Sequence, residues 1–327
     1  LRRYQIEYDE WFFESGLHES GYVRETVEML TQRGWTYEKE GALWLNTTEL
    51  LKEKYMREGK TREQADKLDL KDDVLRRANG FYTYFAADIA YHRNKLEKRG
   101  FSKAVNIWGA DHHGHVARLQ AALDGLGLDG SHRLVVVLMQ LVNLLQDGKP
   151  VRMSKRSGKA IALHDLLDEI SVDAARYFFN SRSSNSPLDF DLDLAVREDS
   201  DNPVYYVQYA HARICSLIAK LAEEGAAVPA AGDVDAVLLV QPEEKALLKA
   251  LSMLPEEIRL AARDYDPSRI NRYLVELSGD FHRFYNACRI REEAPALRDA
   301  RLKLADTTRA VIAGGLGLLG VSAPEKM

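Results

Sequence analysis

The residues best suited to chemistry form a cationic loop at residues 148–159. This stretch contains Gly148, Gly158, two serines and five cations, namely Lys149, Arg152, Lys155, Arg156 and Lys159. No apolar period runs through it, so neither a packed helix nor a packed strand is predicted. A cationic, Ser-bearing loop can close over a polyphosphate and neutralise the charge that develops on it. Composition alone gives equal weight to an ordinary solvated basic loop.

Tyr84 and Asp88 form a second candidate site, at the start of a predicted helix. Residues four apart share one helical face, so the phenol and the carboxylate converge. A carboxylate offers two acceptor oxygens, which suit a guanidinium group. An acidic residue near a helix N-terminus is also an ordinary partner of the helix dipole, and composition alone favours that structural role.

Residues 108–115 form a third candidate site, where a predicted strand ends and a helix begins. The free N–H groups and the dipole of a helix start favour anions. His112, His113 and His115 also suggest a metal, but their spacing without a pair of carboxylates is a poor zinc ligand set. No metal site is therefore predicted.

The helix predicted from residue 202 is the fourth candidate. Asn202 is a favourable N-cap and Pro203 suits the first helical position. One stripe of this helix is predicted to be core, namely Val204, Val207, His211, Ile214 and Ile218. A second stripe, Tyr206, Tyr209 and Arg213, combines aromatic faces with a guanidinium group, which suits stacking on RNA bases and phosphate contact. Packing of these tyrosines against a neighbouring helix explains the stripe equally well.

The elements that carry these sites predict an α/β fold followed by an all-α bundle. In the first half a hairpin is predicted around Glu40–Gly41, then alternating helices and buried strands at 84–98, 103–108, 112–126 and 134–138. Such alternation is typical of a parallel sheet with ligands beyond the strand C-termini. After a predicted helix at 163–180 and a polar connector at 180–201, almost every segment has helical period.

The predicted domains are residues 1–162, 163–201 and 202–327, with a charged exposed helix or insertion at about 52–73 in the first.

The length of 327 residues fits about two domains with separate cores. A net charge of −5 argues against a protein that coats nucleic acid indiscriminately, so any RNA contact must be a local patch. The isolated Cys215 and Cys288 indicate neither disulfides nor zinc, and no signal peptide or membrane-spanning run is present. A reduced cytoplasmic protein is expected.

The order of residues in these sites resembles arginyl-tRNA synthetases, a class I family. Arg-Met-Ser-Lys-Arg-Ser-Gly at 152–158 is similar to the KMSKS signature, although Arg152 replaces its first Lys and brings a guanidinium fork in place of a compact ammonium. Tyr-x-x-x-Asp-Ile-Ala-Tyr-His at 84–92, Gly-Ala-Asp-His-His-Gly-His at 109–115 and the C-terminal ten residues also resemble family segments. Residues 202–213 are similar to the opening of the family's DALR anticodon-binding domain.

The resemblance implies roles for the loop residues. In the family, the residue matched by Lys155 contacts ATP phosphates and stabilises the transition state as pyrophosphate departs. Arg152 would add to that positive field, Ser154 would hydrogen-bond a phosphate, and Met153 would offer backbone groups to the adenine. The substrate carboxylate attacks the α-phosphate, so that catalysis is positioning plus charge stabilisation.

The resemblance also implies binding residues and partners. Tyr84 and Asp88 would recognise the arginine side chain. Gly109 would let the backbone approach ATP, Asp111 would accept from its ribose, and His112 would donate to a phosphate or to the adenylate. Contacts with arginine tRNA are expected from Tyr206, Gln208, Tyr209 and Arg213. ATP with Mg²⁺ is expected as a substrate, with no tightly bound cofactor, and the chain is expected to be monomeric and without membrane contacts.

His112-His-Gly-His115 fits the His-x-Gly-His pattern of the class I HIGH tetrapeptide, but that reading is rejected. In the family HIGH follows the first strand of the nucleotide fold, well before the Tyr-x-x-x-Asp helix. No other candidate occurs in the sequence. The chain is therefore expected to be a C-terminal portion, lacking the N-terminal domain and the HIGH half, and inactive alone. The main alternative is a synthetase-derived tRNA-binding protein without catalysis. A cysteinyl-tRNA synthetase is a runner-up, against which Tyr84, Asp88 and the absence of zinc-spaced cysteines argue.

Overall fold

A computed structural model of the chain describes residues 1–151, 161–291 and 293–327. The chain divides into two compact units. We call Tyr8–Gln140 the α/β unit, and Leu1–Glu7 together with Leu141–Met327 the helical unit. The border at residue 140 differs from the predicted border at residue 162, because the segment after Leu141 pairs with a strand further along the chain. The predicted domain borders themselves stay predictions.

The α/β unit contains short helices and two small sheets. Its strands are β1 (Thr36–Lys39), β2 (Ala42–Leu45), β3 (Asp73–Arg76), β4 (Ala104–Gly109) and β5 (Leu134–Met139). Its helices are α1 (Ser15–Glu19), α2 (Tyr22–Gln32), α3 (Thr47–Arg57), α4 (Arg62–Asp66), α5 (Tyr84–Arg93), α6 (His113–Gly125) and α7 (Gly130–Arg133). A π-helical turn, Asn94–Lys98, continues α5.

The predicted hairpin is confirmed. Strands β1 and β2 pair antiparallel, and their turn has positive φ at Glu40 (56°) and Gly41 (73°), the geometry that matches strand twist. The charged segment at 52–73 is exposed over most of its length, with Lys54 and Ala65 as its buried residues.

The predicted parallel pair is also confirmed. Strands β4 and β5 pair in parallel, with Trp108 opposite Leu138, and α6 connects them. The expectation of a buried first strand is wrong on one face. Ala104 and Asn106 are buried, whereas Val105 is 45% and Ile107 72% exposed, because alternate residues of a strand point to opposite sides.

The helical unit begins with a three-stranded sheet in the order β7–β6–β8, formed by β6 (Val142–Gln146), β7 (Lys149–Val151) and β8 (Leu188–Asp191). Its helices are α8 (Leu163–Glu169), α9 (Val172–Phe179), α10 (Leu192–Ala195), α11 (Pro203–Glu223), α12 (Pro242–Ser252), α13 (Leu254–Asp264), α14 (Ser268–Ala287) and α15 (Pro295–Leu318). The fold class, an α/β part followed by helices, is as predicted.

Three local predictions in this unit are wrong. Lys149–Val151 is a strand, since Asp147 and Gly148 take positive φ and close a hairpin. The predicted helix at 163–180 is broken, because the Ser171 hydroxyl accepts from the Ala174 N–H and starts a new helix. The predicted connector at 180–201 contains β8, which pairs in parallel with β6.

The predicted start of α11 is confirmed. Asn202 Oδ1 accepts from the Val204 N–H at 3.2 Å, and Pro203 is the first helical residue. The predicted core stripe is buried at Val204, Val207, His211 and Ile214, and Ile218 packs against it.

Helices α14 and α15 approach closely at a glycine, which gives a stability prediction. A Cβ at Gly315 would lie 2.7 Å from Leu274 Cδ2, whereas a Cβ at the adjacent Gly314 would meet nothing within 4 Å. We expect Gly315→Ala to lower the free energy of unfolding by about 1–3 kcal/mol through overpacking. The matched control, Gly314→Ala, should raise it by about 0.5–1 kcal/mol through helix propensity. Urea unfolding followed by helical circular dichroism measures both, and equal midpoints for the two variants would contradict the packing at Gly315.

Candidate functional sites

The start of α5 is fixed by Thr83 and presents Tyr84 to solvent. The Thr83 hydroxyl accepts from the Ala86 N–H and donates to the Val74 carbonyl at 2.7 Å, so that the helix start is tied to β3. Tyr84 is 83% exposed. Asp88 follows one turn later and is partly exposed. The helix therefore brings the two predicted arginine-binding residues within one turn.

The Asp88 carboxylate is oriented by His115 of α6. His115 Nε2 lies 3.0 Å from Asp88 Oδ2. A carboxylate only accepts, so Nε2 carries the proton. His115 Nδ1 faces Arg118 Nη2 at 3.5 Å, and Arg118 Nη1 donates to Asp73 at 2.5 Å. Asp88 Oδ1 makes no hydrogen bond within the described ranges, which leaves one acceptor oxygen for a ligand.

The sequence did not predict this role of His115. It was considered only as one of three closely spaced histidines that are poor ligands for zinc. Its ring is held edge-on by Phe85 at 5.3 Å and lies 5.5 Å from the Trp108 ring. Asp88 and His115 are 27 positions apart, so that only the packing of α5 on α6 reveals the contact.

A buried network supports the same turn of α5. His92, 2% exposed, donates from Nδ1 to the Asp88 carbonyl at 2.7 Å and accepts at Nε2 from the Asn106 amide at 2.5 Å. The Asn106 oxygen accepts from Lys95 Nζ at 3.1 Å. Burial, and secondarily the Lys95 charge, lowers the pKa of His92 to about 4. Burial, and then Arg99, lowers the pKa of Lys95 to about 8.

The low pKa of His92 gives a spectroscopic prediction. The helical unit has a similar ring, His282, whose pKa is lowered to about 4 by burial and by Arg213. Because burial disfavours the charged ring, both should stay neutral at pH 5.5, where an ordinary histidine is mostly protonated. Ring signals of the nine histidines, followed by NMR from pH 8 to 4, measure this. The signals missing from His92→Asn and His282→Gln identify the two rings, and an apparent pKa near 6.5 for either would contradict its burial.

Three of the predicted ATP-binding residues, Gly109, Asp111 and His112, lie together where β4 ends. A short 3₁₀ turn, Ala110–His112, separates β4 from α6. A Cβ at Gly109 would lie 2.5 Å from Asp111 Oδ1, so a larger residue there would displace the exposed Asp111 carboxylate. Asp111 and His112 are exposed, with His112 Nε2 lying 3.7 Å from Asp111 Oδ2. The segment can present acceptors and donors to a ligand, and its ATP role stays a prediction.

The predicted catalytic residues Lys155, Arg152 and Ser154, and Met153 with its expected adenine contact, lie outside the described residues. Across 1–151, 161–291 and 293–327, no group of three metal-capable side chains occurs. Within the same ranges, no helix combines the length and apolarity that a membrane crossing requires.

The predicted RNA-binding stripe of α11 meets α14 in an aromatic and cationic cluster. Tyr206 and Tyr209 lie 5.1 and 6.1 Å from the His282 ring, and Tyr209 is 41% exposed. The Arg213 guanidinium lies 4.1 Å over the Tyr285 ring. These side chains pack against α14, as the structural alternative predicts, and Tyr209 keeps an exposed face, so the RNA-binding role of the stripe stays a prediction.

Two cavities open beside this cluster and share Tyr209 and Arg213. One, of about 540 Å³, is lined by Ser200, Tyr205, Tyr206, His282 and Asn286 in addition. The other, of about 600 Å³, is lined by the cations Lys220, Arg289 and Arg291, with Tyr285 and Met327. Aromatic rings beside several cations suit unstacked bases and their phosphates.

Gln208 does not join this surface. It is 9% exposed, and its amide nitrogen donates to Asp173 and to the Ser322 carbonyl, both at 2.9 Å. The amide therefore ties α11 to α9 and to the C-terminal segment. The predicted tRNA contact of Gln208 stays a prediction. The hydrogen bonds of its side chain have a structural role.

Comparison with known proteins agrees with both halves of the chain. Residues 5–198 match the family described as tRNA synthetases class I (R), catalytic domain. Residues 207–327 match the DALR anticodon binding domain. The fold and sites thus define a class I aminoacyl-tRNA synthetase catalytic domain followed by a helical DALR domain.

Proteins of similar sequence identify the family within this class. The chain is 52% identical over 327 residues to the arginine–tRNA ligase of Ruminiclostridium cellulolyticum, covering 100% of the chain and 55% of that protein. It is 51% identical over 325 residues to the ligase of Desulfitobacterium hafniense, covering 98% and 54%. The chain belongs to the arginyl-tRNA synthetase family. It spans about half the length of the curated relatives it matches.

Solved structures agree with the fold. A crystal structure from Campylobacter jejuni, described as an arginyl-tRNA synthetase, superposes with a TM-score of 0.84 at 34% identity, covering 100% of the chain and 66% of that structure. The arginyl-tRNA synthetase of Thermus thermophilus gives a TM-score of 0.83 at 21% identity, covering 100% and 61%. The second similarity concerns the fold alone.

Proposed function

We propose that this chain serves in arginine–tRNA ligation, the ATP-dependent activation of arginine and its transfer to tRNA. One observation carries the proposal. A single chain combines an oriented carboxylate, Asp88, in an arginyl-type catalytic domain with an aromatic and cationic surface in a DALR domain.

Arginine binding would use the free side of Asp88. His115 occupies Oδ2, so Oδ1 is the acceptor for the substrate guanidinium, whose donors are fixed in a fork. Tyr84, exposed one turn earlier, supplies a ring face or a hydroxyl to the same group. Lysine, with a compact ammonium, would match this arrangement less well.

ATP binding would use the end of β4 and the cationic loop. Gly109 permits close backbone approach, while Asp111 and His112 offer an acceptor and a donor. Lys155, Arg152 and Ser154 would face the phosphates, and Met153 the adenine. Mg²⁺, which enters with ATP, would neutralise phosphate charge. Attack of the arginine carboxylate on the α-phosphate forms arginyl-adenylate and releases pyrophosphate. Esterification of the terminal adenosine of the tRNA then releases AMP.

Binding of tRNA would use the cluster of Tyr206, Tyr209 and Arg213 and its two cavities. Because the chain carries a net charge of −5, affinity should depend on this local patch and fall steeply with salt.

A second candidate is a tRNA-binding protein that performs no chemistry. One observation favours it: the only His-x-Gly-His tetrapeptide, His112-His-Gly-His115, follows the helix of Tyr84 and Asp88 instead of preceding it. Under this alternative, the 327-residue chain would bind tRNA without preferring arginine over its neutral isostere and would show little turnover.

Arginine binding separates the two candidates. NMR titration of the chain with arginine and with citrulline, its neutral isostere, measures the preference that the Asp88 charge should create. A preference of about tenfold or more for arginine supports the ligase proposal. Equal or absent binding of the two, together with retained binding of arginine tRNA, supports the non-catalytic alternative. Arginine-dependent ATP–pyrophosphate exchange above background would show that the chain holds a complete active site.

A further inference from the structure

His282 of α14 has a ring nitrogen that the contacts proposed above do not use. Its ring is partly buried, with the Tyr206, Tyr209 and Phe281 rings at 5.1, 6.1 and 5.5 Å. Packing against these three rings restricts the ring plane, so that its two nitrogens point in defined directions.

Arg213 determines which nitrogen carries the proton. Arg213 Nη1 lies 3.4 Å from His282 Nδ1. A guanidinium group only donates, so Nδ1 must accept and the proton of the neutral ring sits on Nε2. The Tyr285 ring, 4.1 Å from the guanidinium carbon, holds Arg213 in place. The low pKa of His282 agrees with a neutral ring in this position.

The Nε2–H group is available to a ligand. It makes no hydrogen bond with any residue in the described ranges, and the ring lines the cavity of about 540 Å³. The other lining residues are Tyr205, Tyr206, Tyr209, Ser200, Arg213 and Asn286. Tyr205 and Tyr209 stack with centroids 6.2 Å apart and planes 6° from parallel. Three aromatic faces suit a stacked nucleobase, whose phosphate Arg213 can contact on the same lining, and the fixed His282 Nε2–H is a neutral donor for the base edge.

We propose that His282 is a specificity-determining residue for RNA. Its Nε2–H donates to an acceptor atom on the edge of an unstacked base that occupies this cavity, while the tyrosine rings supply sequence-tolerant stacking. This assignment rests on the proposed tRNA binding and adds the residue that discriminates between bases. A hydrogen bond to a base edge rejects bases that lack the acceptor, since the donor would then stay unpaired.

A double-mutant cycle with modified RNA tests the contact. The probe is the anticodon stem-loop of an arginine tRNA, bound to the 327-residue chain at fixed salt. In each modified RNA one base acceptor of the loop is removed, by a deaza analogue for a ring nitrogen or a thiocarbonyl for an oxygen. His282→Phe keeps the ring and loses the donor, whereas His282→Gln keeps an N–H donor near the position of Nε2.

We expect one modification to weaken binding to the wild-type chain by about 5–10-fold, the size of one hydrogen bond. His282→Phe should weaken binding of the unmodified RNA equally and be insensitive to that modification, and His282→Gln should recover sensitivity to it. His282→Phe must first show an unchanged circular dichroism spectrum. If this variant then responds to every acceptor modification as the wild-type chain does, His282 is not the base-reading residue, although tRNA binding itself is still supported. If the wild-type chain does not bind the stem-loop, the proposed tRNA binding fails first.

Discussion

Asp88→Asn is expected to lower the affinity for arginine by at least about tenfold and to abolish its preference over citrulline. The substitution keeps the shape of the side chain and the contact with His115, because the amide oxygen can still accept from Nε2. The substitution removes the negative charge that would face the guanidinium group of the arginine substrate. Its amide can also turn an N–H donor toward that cation, where an acceptor is needed. NMR or calorimetric titration of wild-type and variant chains with both ligands measures the effect.

Asp129→Asn is the matched control for this substitution. Asp129 is an exposed aspartate of the same unit with φ 53°, a conformation that asparagine tolerates, and the asparagine oxygen can still accept from His132 Nδ1, so the substitution chiefly removes a charge. It should leave arginine affinity unchanged. An Asp88→Asn chain that still prefers arginine over citrulline would contradict the assignment of Asp88.

Tyr209→Ala is expected to weaken binding of arginine tRNA by about 10–100-fold, because each base stacked on an aromatic ring contributes about 1–3 kcal/mol. Tyr209 is the exposed tyrosine shared by both cavities of the helical unit. Stacking involves no counterion release, so the salt dependence of binding should stay unchanged. Arg213→Ala should instead reduce the slope of log affinity against log salt by about 1.

Two controls isolate the ring. Tyr209→Phe keeps the aromatic face and should bind within about twofold of wild type, since no described hydrogen bond of the hydroxyl is lost. Tyr8→Ala removes an exposed tyrosine of the α/β unit and should have no effect. If Tyr209→Ala binds arginine tRNA as tightly as Tyr8→Ala does at the same salt concentration, Tyr209 is not part of the RNA-binding surface.

Local periodicity accounts for the features that the sequence predicted. The helical repeat placed Tyr84 and Asp88 one turn apart, and also separated the core stripe of α11 from the stripe of Tyr209 and Arg213. Turn and cap chemistry located the hairpin at Glu40–Gly41 and the helix start at Asn202. Each depends on residues within a few positions of one another, so it can be read from a single segment.

Some features of the structure were not predicted because they depend on contacts between segments that are distant in the sequence. Others had a sequence pattern that was overlooked. His115 meets Asp88 only through packing of α5 on α6. By contrast, Gln208 stands four residues after Val204 and three before His211, on the core stripe, so its burial could have been predicted. Its partners Asp173 and Ser322 could not. Strand β8 was signalled by the alternation of Leu188 and Phe190 with aspartates, but the surrounding polar residues hid it.

We expect this chain to distinguish arginine tRNA by its anticodon, and competition binding measures that discrimination. The 327-residue chain is titrated, at fixed salt, with an arginine tRNA and with a transcript that differs from it only in the anticodon triplet. We predict that the arginine anticodon binds about tenfold or more tightly, the discrimination that one or two base contacts supply. Equal affinity for the two transcripts would mean that the surface around Tyr209 binds RNA nonspecifically, and would contradict recognition of the anticodon.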